Sequence, residues 1–231
     1  MIWFDKQSSE DLGVYVESYP KRSIPKRKYE TVSVPGRNGD ILFTQDAFEN
    51  ETREYEIYIS AKDVKLHNIA HRVVQWINRP GYLRLEDSYE PDYYRMAYYT
   101  GGADIENYLD EFGRATISFS CLPQRFLKSG EYAMKITKNQ YLINPSPYPS
   151  KPLIKITGSG NGTLTIGGKT VNFASIDSFL FVDCELQDVY KNAINCNGKM
   201  TGDFPVLEGK SQITWTGGIT AVQITPRWYE I

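Results

Sequence analysis

Residues 63–99 read DVKLHNIAHRVVQWINRPGYLRLEDSYEPDYYRMAYY. Leu66, Ile69, Ala70, Val73, Trp76 and Ile77 recur at the i, i+3, i+4, i+7 spacing that gathers apolar side chains on one helical face, and the spacing predicts a helix here. Asp63 stands at its start, where a carboxylate caps free N–H groups and meets the positive end of the helix dipole. Pro80-Gly81 stops it, because proline cannot continue the ladder and glycine lets the backbone turn. Residues 82–86 then alternate, residues 87–92 supply turn chemistry, and residues 93–99 alternate again, the pattern of a hairpin. A single helix beside hairpins needs a sheet to lie on. The first half of the chain supplies it.

Working towards the N-terminus, residues 53–60 place Tyr55, Ile57 and Ile59 on one face of a long strand. Residues 29–34 alternate and stop at Pro35. Gly36-Arg37-Asn38-Gly39 follows, and Asn-Gly favours a hairpin because both residues tolerate positive φ. Residues 41–43 return antiparallel. Between a short strand at 12–16 and the strand at 29 lies ESYPKRSIPKRK, residues 17–28, with two prolines and five basic residues. It reads as an exposed, projecting arm. Tyr19, Lys21, Arg22, Lys26, Arg27, Arg37 and Asn38 are therefore the candidate contact residues for a partner or a second copy.

Working towards the C-terminus, residues 103–111 are acidic and mixed. Residues 112–121 alternate with Ala115, Ile117, Phe119 and Cys121 on one face, residues 122–127 close the first sheet, and Tyr132, Met134 and Ile136 mark one further strand. Residues 139–152, NQYLINPSPYPSKP, carry four prolines and read as a stiff, extended connector. This gives an N-terminal domain over 1–138, a linker over 139–152 and a C-terminal domain over 153–231. Past the connector, strand-sized segments recur at 153–157, 162–166, 169–173, 179–183, 186–191, 211–215 and 219–225. Turn signals at Gly160-Asn161-Gly162, Gly167-Gly168, Asn197-Gly198 and Gly217-Gly218 separate them. Strands at that interval without helical periodicity predict an antiparallel β-sandwich.

Composition bounds what such a chain does. Its 231 residues hold 41% hydrophobic and 13% aromatic side chains, enough for real cores, and the seventeen tyrosines suit half-buried strand surfaces. The formal net charge is −2, and neither half is a basic platform for nucleic acid or an acidic tail. Three cysteines (Cys121, Cys184, Cys196) without a CxxC pair argue against a disulfide framework and for a reducing site of synthesis. The N-terminus lacks a basic region followed by a long apolar run, so no signal peptide is expected. No window approaches the eighteen apolar residues of a membrane span.

Candidate chemistry is sparse. His67 and His71 share a helical face, but Asn68 stands where a zincin needs glutamate, and there is no third histidine. They read as surface or boundary histidines, with no metal expected. Gly167-Gly168-Lys169-Thr170 suggests a phosphate loop, yet Thr163 occupies the position of the leading glycine and no helix follows to receive a phosphate. Carboxylates cluster at Glu86, Asp87, Glu90, Asp92, Asp104, Glu106, Asp110 and Glu111. Turn chemistry accounts for them without a facing glycosidase pair. Trp215, Trp228 and Tyr229 fit either a sugar-binding surface or the sandwich core, and the core is the simpler account. The sequons at Asn50 and Asn161 read as chance matches. No catalytic residue and no cofactor is expected.

The ordered set VSVPGRNGDI, a lone helix, GYLRLEDSYEPDYYRMA and ISFSCLPQRFL resembles the N-terminal domain of the distal tail proteins of siphophages that infect Gram-positive bacteria. NPSPYPSKPLIKITGSGNGTLTIGG and the closing GDFPVLEGKSQITWTGGITAVQITPRWYEI resemble that family's galectin-like C-terminal domain. The resemblance spans essentially the whole chain. It implies a mainly β protein: an N-terminal β-sandwich or split-barrel-like domain with one α-helix and a hairpin, then a galectin-like antiparallel β-sandwich, in the short form without inserted carbohydrate-binding modules. It further implies a structural virion protein, the hub at the distal end of the tail. Copies form a ring, commonly a hexamer, that joins the tail tube protein to tail-tip or tail-associated proteins and to receptor-binding components. DNA only passes through the channel, no membrane is entered, and assembly takes place in the host cytoplasm. Phage and prophage origins are equally compatible. Two rival readings are a carbohydrate-binding protein using the galectin-like half and a tail-associated cell-wall hydrolase.

Overall fold

The computed structural model describes residues 1–21, 23–60, 66–101, 106–109 and 112–231, with residues 106–109 given as backbone alone. The chain divides into two compact units, residues 1–125 with Ile231, and residues 126–230. It is mainly β, as expected.

Unit 1 is built on an antiparallel sheet. Its strands are β1 (Ile2–Phe4), β2 (Gln7–Ser8), β3 (Val14–Val16), β6 (Glu51–Ser60), β7 (Leu83–Asp87), β8 (Tyr93–Tyr99) and β10 (Phe112–Leu127), in the order β2-β1-β7-β8-β10-β6-β3, with β9 (Glu106–Leu109) also pairing β10. A separate two-stranded ribbon is formed by β4 (Arg27–Val32) and β5 (Ile41–Phe48). The helix α1 (Leu66–Ile77) buries Leu66, Ile69, Val73, Trp76 and Ile77, and exposes His67 and His71. Tyr55, Ile57 and Ile59 of β6 and Ile117 and Phe119 of β10 share its core. The indole Nε1 of Trp76 donates to the carbonyl of Phe4 at 3.1 Å, so the largest core side chain leaves no buried donor unpaired. The capping role expected of Asp63 lies outside the described residues.

Unit 2 holds β11 (Met134–Ile136), β12 (Gln140–Ile143), β13 (Leu153–Ile166), β14 (Lys169–Asp183), β15 (Asp188–Lys191), β16 (Ile194–Asn195), β17 (Met200–Thr201) and β18 (Lys210–Thr225). The order is β11-β18-β13-β14-β15-β16, with β12 beside the first half of β18 and β17 beside the first half of β14. Six of the short strands expected from sequence are therefore three long ones. The segments at 153–157 and 162–166 merge into β13, those at 169–173 and 179–183 into β14, and those at 211–215 and 219–225 into β18. Gly160-Asn161-Gly162 and Gly217-Gly218 are not hairpin turns. They sit at register shifts where the paired strands β13 and β18 bend together. Only glycine fits there: a Cβ on Gly218 would lie 1.7 Å from the carbonyl oxygen of Ser159, and one on Gly158 would lie 2.1 Å from that of Gly218. Beyond the bend the sheet folds over on itself, so that Ile154 and Ile156 from one half of β13 and Leu164 and Ile166 from the other join a single core. Gly167-Gly168 does turn the chain, linking β13 to β14 with φ of +56° and +84°.

The expected connector is also corrected. Residues 139–152 are part of unit 2, and the boundary falls between Arg125 and Phe126, not at 138. Proline density marks extended backbone but does not report whether that backbone is paired. Here β12 pairs with β18, and Ser150 exchanges both backbone hydrogen bonds with Leu207. The amide of Asn144 donates to the carbonyls of Tyr148 and Leu207. Residues 126–130 join the same unit through the closing segment. Leu127 N–H donates to Trp228, Arg227 N–H donates to Gly130, and the Arg227 guanidinium grips Asp183 with two bonds of 2.7 and 2.9 Å.

Gly218→Ala tests the bend. Its Cβ meets backbone and not a yielding side chain, so the variant is expected to lose about 3 kcal/mol or more of stability, read by chemical denaturation of the full chain. Gly168→Ala, which meets no atom within 4 Å, is expected to lose only about 1 kcal/mol through its positive φ.

Candidate assembly interface

The candidate contact residues fall in two structurally different places. Residues 17–21 and 23–25 do not project as expected. Glu17 N–H donates to the Glu56 carbonyl, and its carboxylate sits 2.8 Å from Arg114 Nε. Ser18 Oγ donates to Glu56 Oε2 at 2.8 Å, and Ser23 Oγ to Glu51 Oε2 at 3.0 Å. Hydroxyls spaced along an otherwise polar segment thus tie it to β6. Tyr19 is exposed, yet its ring meets that of Tyr89 edge-on at 4.4 Å. Lys21 and Lys26 are exposed, and Arg22 lies outside the described residues.

What stands apart is the β4–β5 ribbon. Arg27 lies at its root, with its guanidinium over the Phe48 ring and 3.6 Å from Asp46. Arg37 and Asn38 lie in its exposed tip. Cross-strand pairs Tyr29–Thr44, Glu30–Phe43, Thr31–Leu42 and Val32–Ile41 fix the register. Successive pairs point to opposite faces, so Tyr29 and Leu42 share one face while Val32, Ile41 and Phe43 share the other. Both faces are open: Tyr29 and Phe43 are each 53% exposed, Leu42 54% and Val32 41%. Tyr29, Val32, Leu42 and Phe43 were missing from the sequence-derived set. Alternation reveals a strand, but a strand's apolar face is ordinarily the buried one, and nothing local shows that both faces of this ribbon lack a cover.

A second feature lies at the foot of the ribbon. Arg53, on the same face of β6 as Tyr55, Ile57 and Ile59, is buried with Asp87 at 2.7 Å and Glu90 at 3.1 Å. Arg95 bonds Glu51 at 2.7 Å and Glu90 at 2.8 Å, and Arg125 reaches Glu90 at 3.0 Å. Glu90 therefore receives three guanidinium groups. Asp87 accepts from Arg53, from the Tyr55 hydroxyl at 2.8 Å and from the N–H groups of Tyr89 and Glu90. Asp87 and Glu90 are structural ion-pair members, not mere turn residues. An arginine at an inward position of an alternating strand was the signal that pointed here. Burial opposes the charge of Asp87, but the Arg53 guanidinium and the Tyr55 hydroxyl outweigh it and hold the carboxyl below its usual range. Burial together with Asp87 pushes the Tyr55 phenol well above its usual range.

The remaining candidates take structural places. Trp215 and Trp228 belong to the unit 2 core, and Tyr229 stacks on Tyr148 at 5.9 Å. His71 faces Gln75 in solvent. Burial pushes the thiols of Cys121 and Cys184 up to about 12, out of the range of nucleophiles. Glu106 is described as backbone alone, and Asp104, Asp110 and Glu111 lie outside the described residues. Among the described residues no helix is long and apolar enough to cross a membrane, and no group of three or more His, Cys, Asp or Glu is placed to hold a metal ion.

Residues 10–121, which include the ribbon and the ion-pair cluster, match the family model described as phage tail protein RIFT-related domain. Among solved structures, the chain is similar to the Dit protein of phage SPP1, described as a paradigm of the hub adsorption apparatus in phages infecting Gram-positive bacteria. The TM-score is 0.80 at 14% sequence identity, over 100% of this chain and 98% of that one. Residues 10–121 thus match a phage tail domain, and the chain as a whole shares the fold of the SPP1 protein. No match was found among curated proteins. The structural likeness extends through both units, whereas the family model stops at β10, within unit 1.

Two outcomes are expected from this geometry. Limited trypsin digestion should cut first within the ribbon, between Lys26 and Arg37, before Lys138 or Lys151, with fragment masses deciding the order. Stability should also fall in acid. The folded pKa of Asp87 lies below its unfolded value of about 3.9, so its contribution is present above that value and is lost as pH drops below about 4. Asp87→Asn is expected to cost about 3 kcal/mol at neutral pH and to flatten the acid limb of the denaturation profile.

Proposed function

We propose that this tail protein is the hub of the distal tail. Copies associate through unit 1 into a closed ring, of the hexameric kind that the family resemblance implies. The ring joins the tail tube protein on one side to tail-tip and receptor-binding proteins on the other. DNA passes through the channel without being read, and the role is structural, not enzymatic. Assembly takes place in the host cytoplasm and the product stays in the virion.

The observation that carries this reading is the ribbon. An isolated two-stranded hairpin is at best marginally stable in water, and this one holds apolar side chains open on both faces. A docking arm that finds its cover on another molecule has that character. One arm on one surface repeats head to tail until the rotation closes, which gives a ring in place of a dimer. The carbohydrate-binding reading loses its leading residues, since Trp215 and Trp228 fill the core of unit 2.

Light scattering and negative-stain microscopy of the purified chain test the proposal. Ring-shaped particles are expected at micromolar concentration. Replacing residues 28–46 by a short Gly-Ser linker should give monomers whose melting temperature lies within a few degrees of the parent. A parent chain that stays monomeric, or a ribbonless variant that still forms rings, would refute it.

A further inference from the structure

Asparagine followed by glycine is a chemically weak point in a chain. The side-chain amide of asparagine is an electrophile, and the peptide nitrogen of the next residue can close a ring onto it. Glycine, without a Cβ, leaves that nitrogen unhindered and lets the backbone take the turn the ring needs. Three such pairs occur here: Asn38-Gly39, Asn161-Gly162 and Asn197-Gly198. Their sequences rank them equal. The structure separates them.

Two of the pairs are fastened. Asn161 Oδ1 accepts from the Ser175 N–H at 3.0 Å. Gly162 is buried, and it pairs with Phe173 on one side and Gly217 on the other. Its nitrogen cannot swing towards the Asn161 side chain without parting the strands at the bend of unit 2. Asn197 Oδ1 accepts from the Val189 N–H at 2.5 Å, and the Asn197 N–H donates to Asn195 Oδ1 at 3.0 Å. This pair lies in a 3-10 turn, Asn197–Lys199, which must open before the Gly198 nitrogen can reach the side chain. Asn38-Gly39 is held by nothing comparable. Cross-strand pairing in the ribbon ends at Val32 and Ile41, and the pair lies in the tip beyond, where both residues are exposed. Among the described residues Asn38 has no hydrogen-bonding or charged partner, and the Gly39 N–H has no acceptor. Gly39 stands at φ +79°, and no atom lies within 4 Å of the place a Cβ would take.

We propose that Asn38 is a site of spontaneous modification, converting to aspartate and isoaspartate in the folded chain while Asn161 and Asn197 persist. The Gly39 nitrogen gives its proton to hydroxide and attacks Asn38 Cγ. A C–N bond forms, the side-chain nitrogen takes up a proton and leaves as ammonia, and a succinimide remains. Water then opens the ring at one of its two carbonyl carbons. Cleavage between the nitrogen and Cγ gives aspartate. Cleavage between the nitrogen and the main-chain carbonyl carbon gives isoaspartate, whose backbone runs through the side chain. Either product adds a carboxylate to a tip in which Arg37 and Asp40 now balance. Isoaspartate also lengthens the link between β4 and β5 by a methylene. The ribbon tip is thus the part of the chain that ages first. The inference concerns the single chain and does not rest on the hub reading.

Peptide mapping by mass spectrometry tests this on the full-length chain, diluted until light scattering reports single chains. The chain is held near body temperature in neutral and in mildly alkaline buffer. Asn38 is expected to lose its amide about tenfold faster than Asn161 or Asn197, or more, because those two must first give up their hydrogen bonds. Its rate should rise with pH, and an isoaspartyl methyltransferase should label its peptide. In guanidinium chloride the three sites should react at similar rates, which assigns the difference to the fold. Gly39→Ala should slow the reaction at Asn38 in both states, since the added methyl group crowds the attacking nitrogen. An Asn38 that stays intact in the folded chain, or an Asn161 or Asn197 that keeps pace with it, overturns the proposal. A preference for Asn38 that survives denaturation overturns its structural basis.

Discussion

Glu90 sits among three guanidinium groups, and the architecture of unit 1 depends on that meeting. Arg53 comes from β6, Arg95 from β8 and Arg125 from the end of β10, while Asp87 closes the set from β7. A buried carboxylate without such partners would lose several kcal/mol of solvation. The side chains therefore lock four strands into one register at a place where an apolar core would tolerate slippage. Glu51 extends the cluster by holding Arg95 with one oxygen and Ser23 with the other. The segment leading to the ribbon is anchored to the most specific contact in the unit. An arm on a fixed root directs its surface consistently, as the proposed head-to-tail contact requires.

The elements set by local chemistry were legible in the sequence. The helix, its apolar face, its stop at Pro80-Gly81 and the hairpin beyond all follow from spacing and turn residues, and the structure places them where those signals lie. The likeness to a distal tail protein fold also emerged, from the order of several weak segments and from no single motif. Two matters stayed hidden. Glycine at a turn and glycine at a bend look alike, because both supply a positive φ, and only the partner strand tells them apart. Gly160 and Gly217 are the instances. The prolines at 145–152 suggested an unattached connector, whereas Asn144, Ser146 and Ser150 bury their polar groups within the unit.

The candidate interface was half legible for a related reason. Basic residues at Lys26, Arg27 and Arg37 advertise exposure through composition alone. Tyr29, Leu42 and Phe43 advertise burial, and within one copy they are not buried. A cluster of side chains whose local signal contradicts its environment makes the ribbon the candidate surface for another molecule. The inverse case is Arg53, a polar residue in an apolar pattern, which marks a completed network inside the unit.

The bent strands of unit 2 have a mechanical meaning. In most sandwiches the two layers cohere through side-chain contacts and slide when those contacts loosen. Here β13, β14 and β18 each run through both layers, so peptide bonds tie one layer to the other three times over. A tensile load applied to either layer passes along covalent backbone at the fold line. The angle between layers is fixed by the absence of side chains at Gly158, Gly162, Gly217 and Gly218. The module is therefore stiff against shear by construction, a property of its glycines more than of its hydrophobic core.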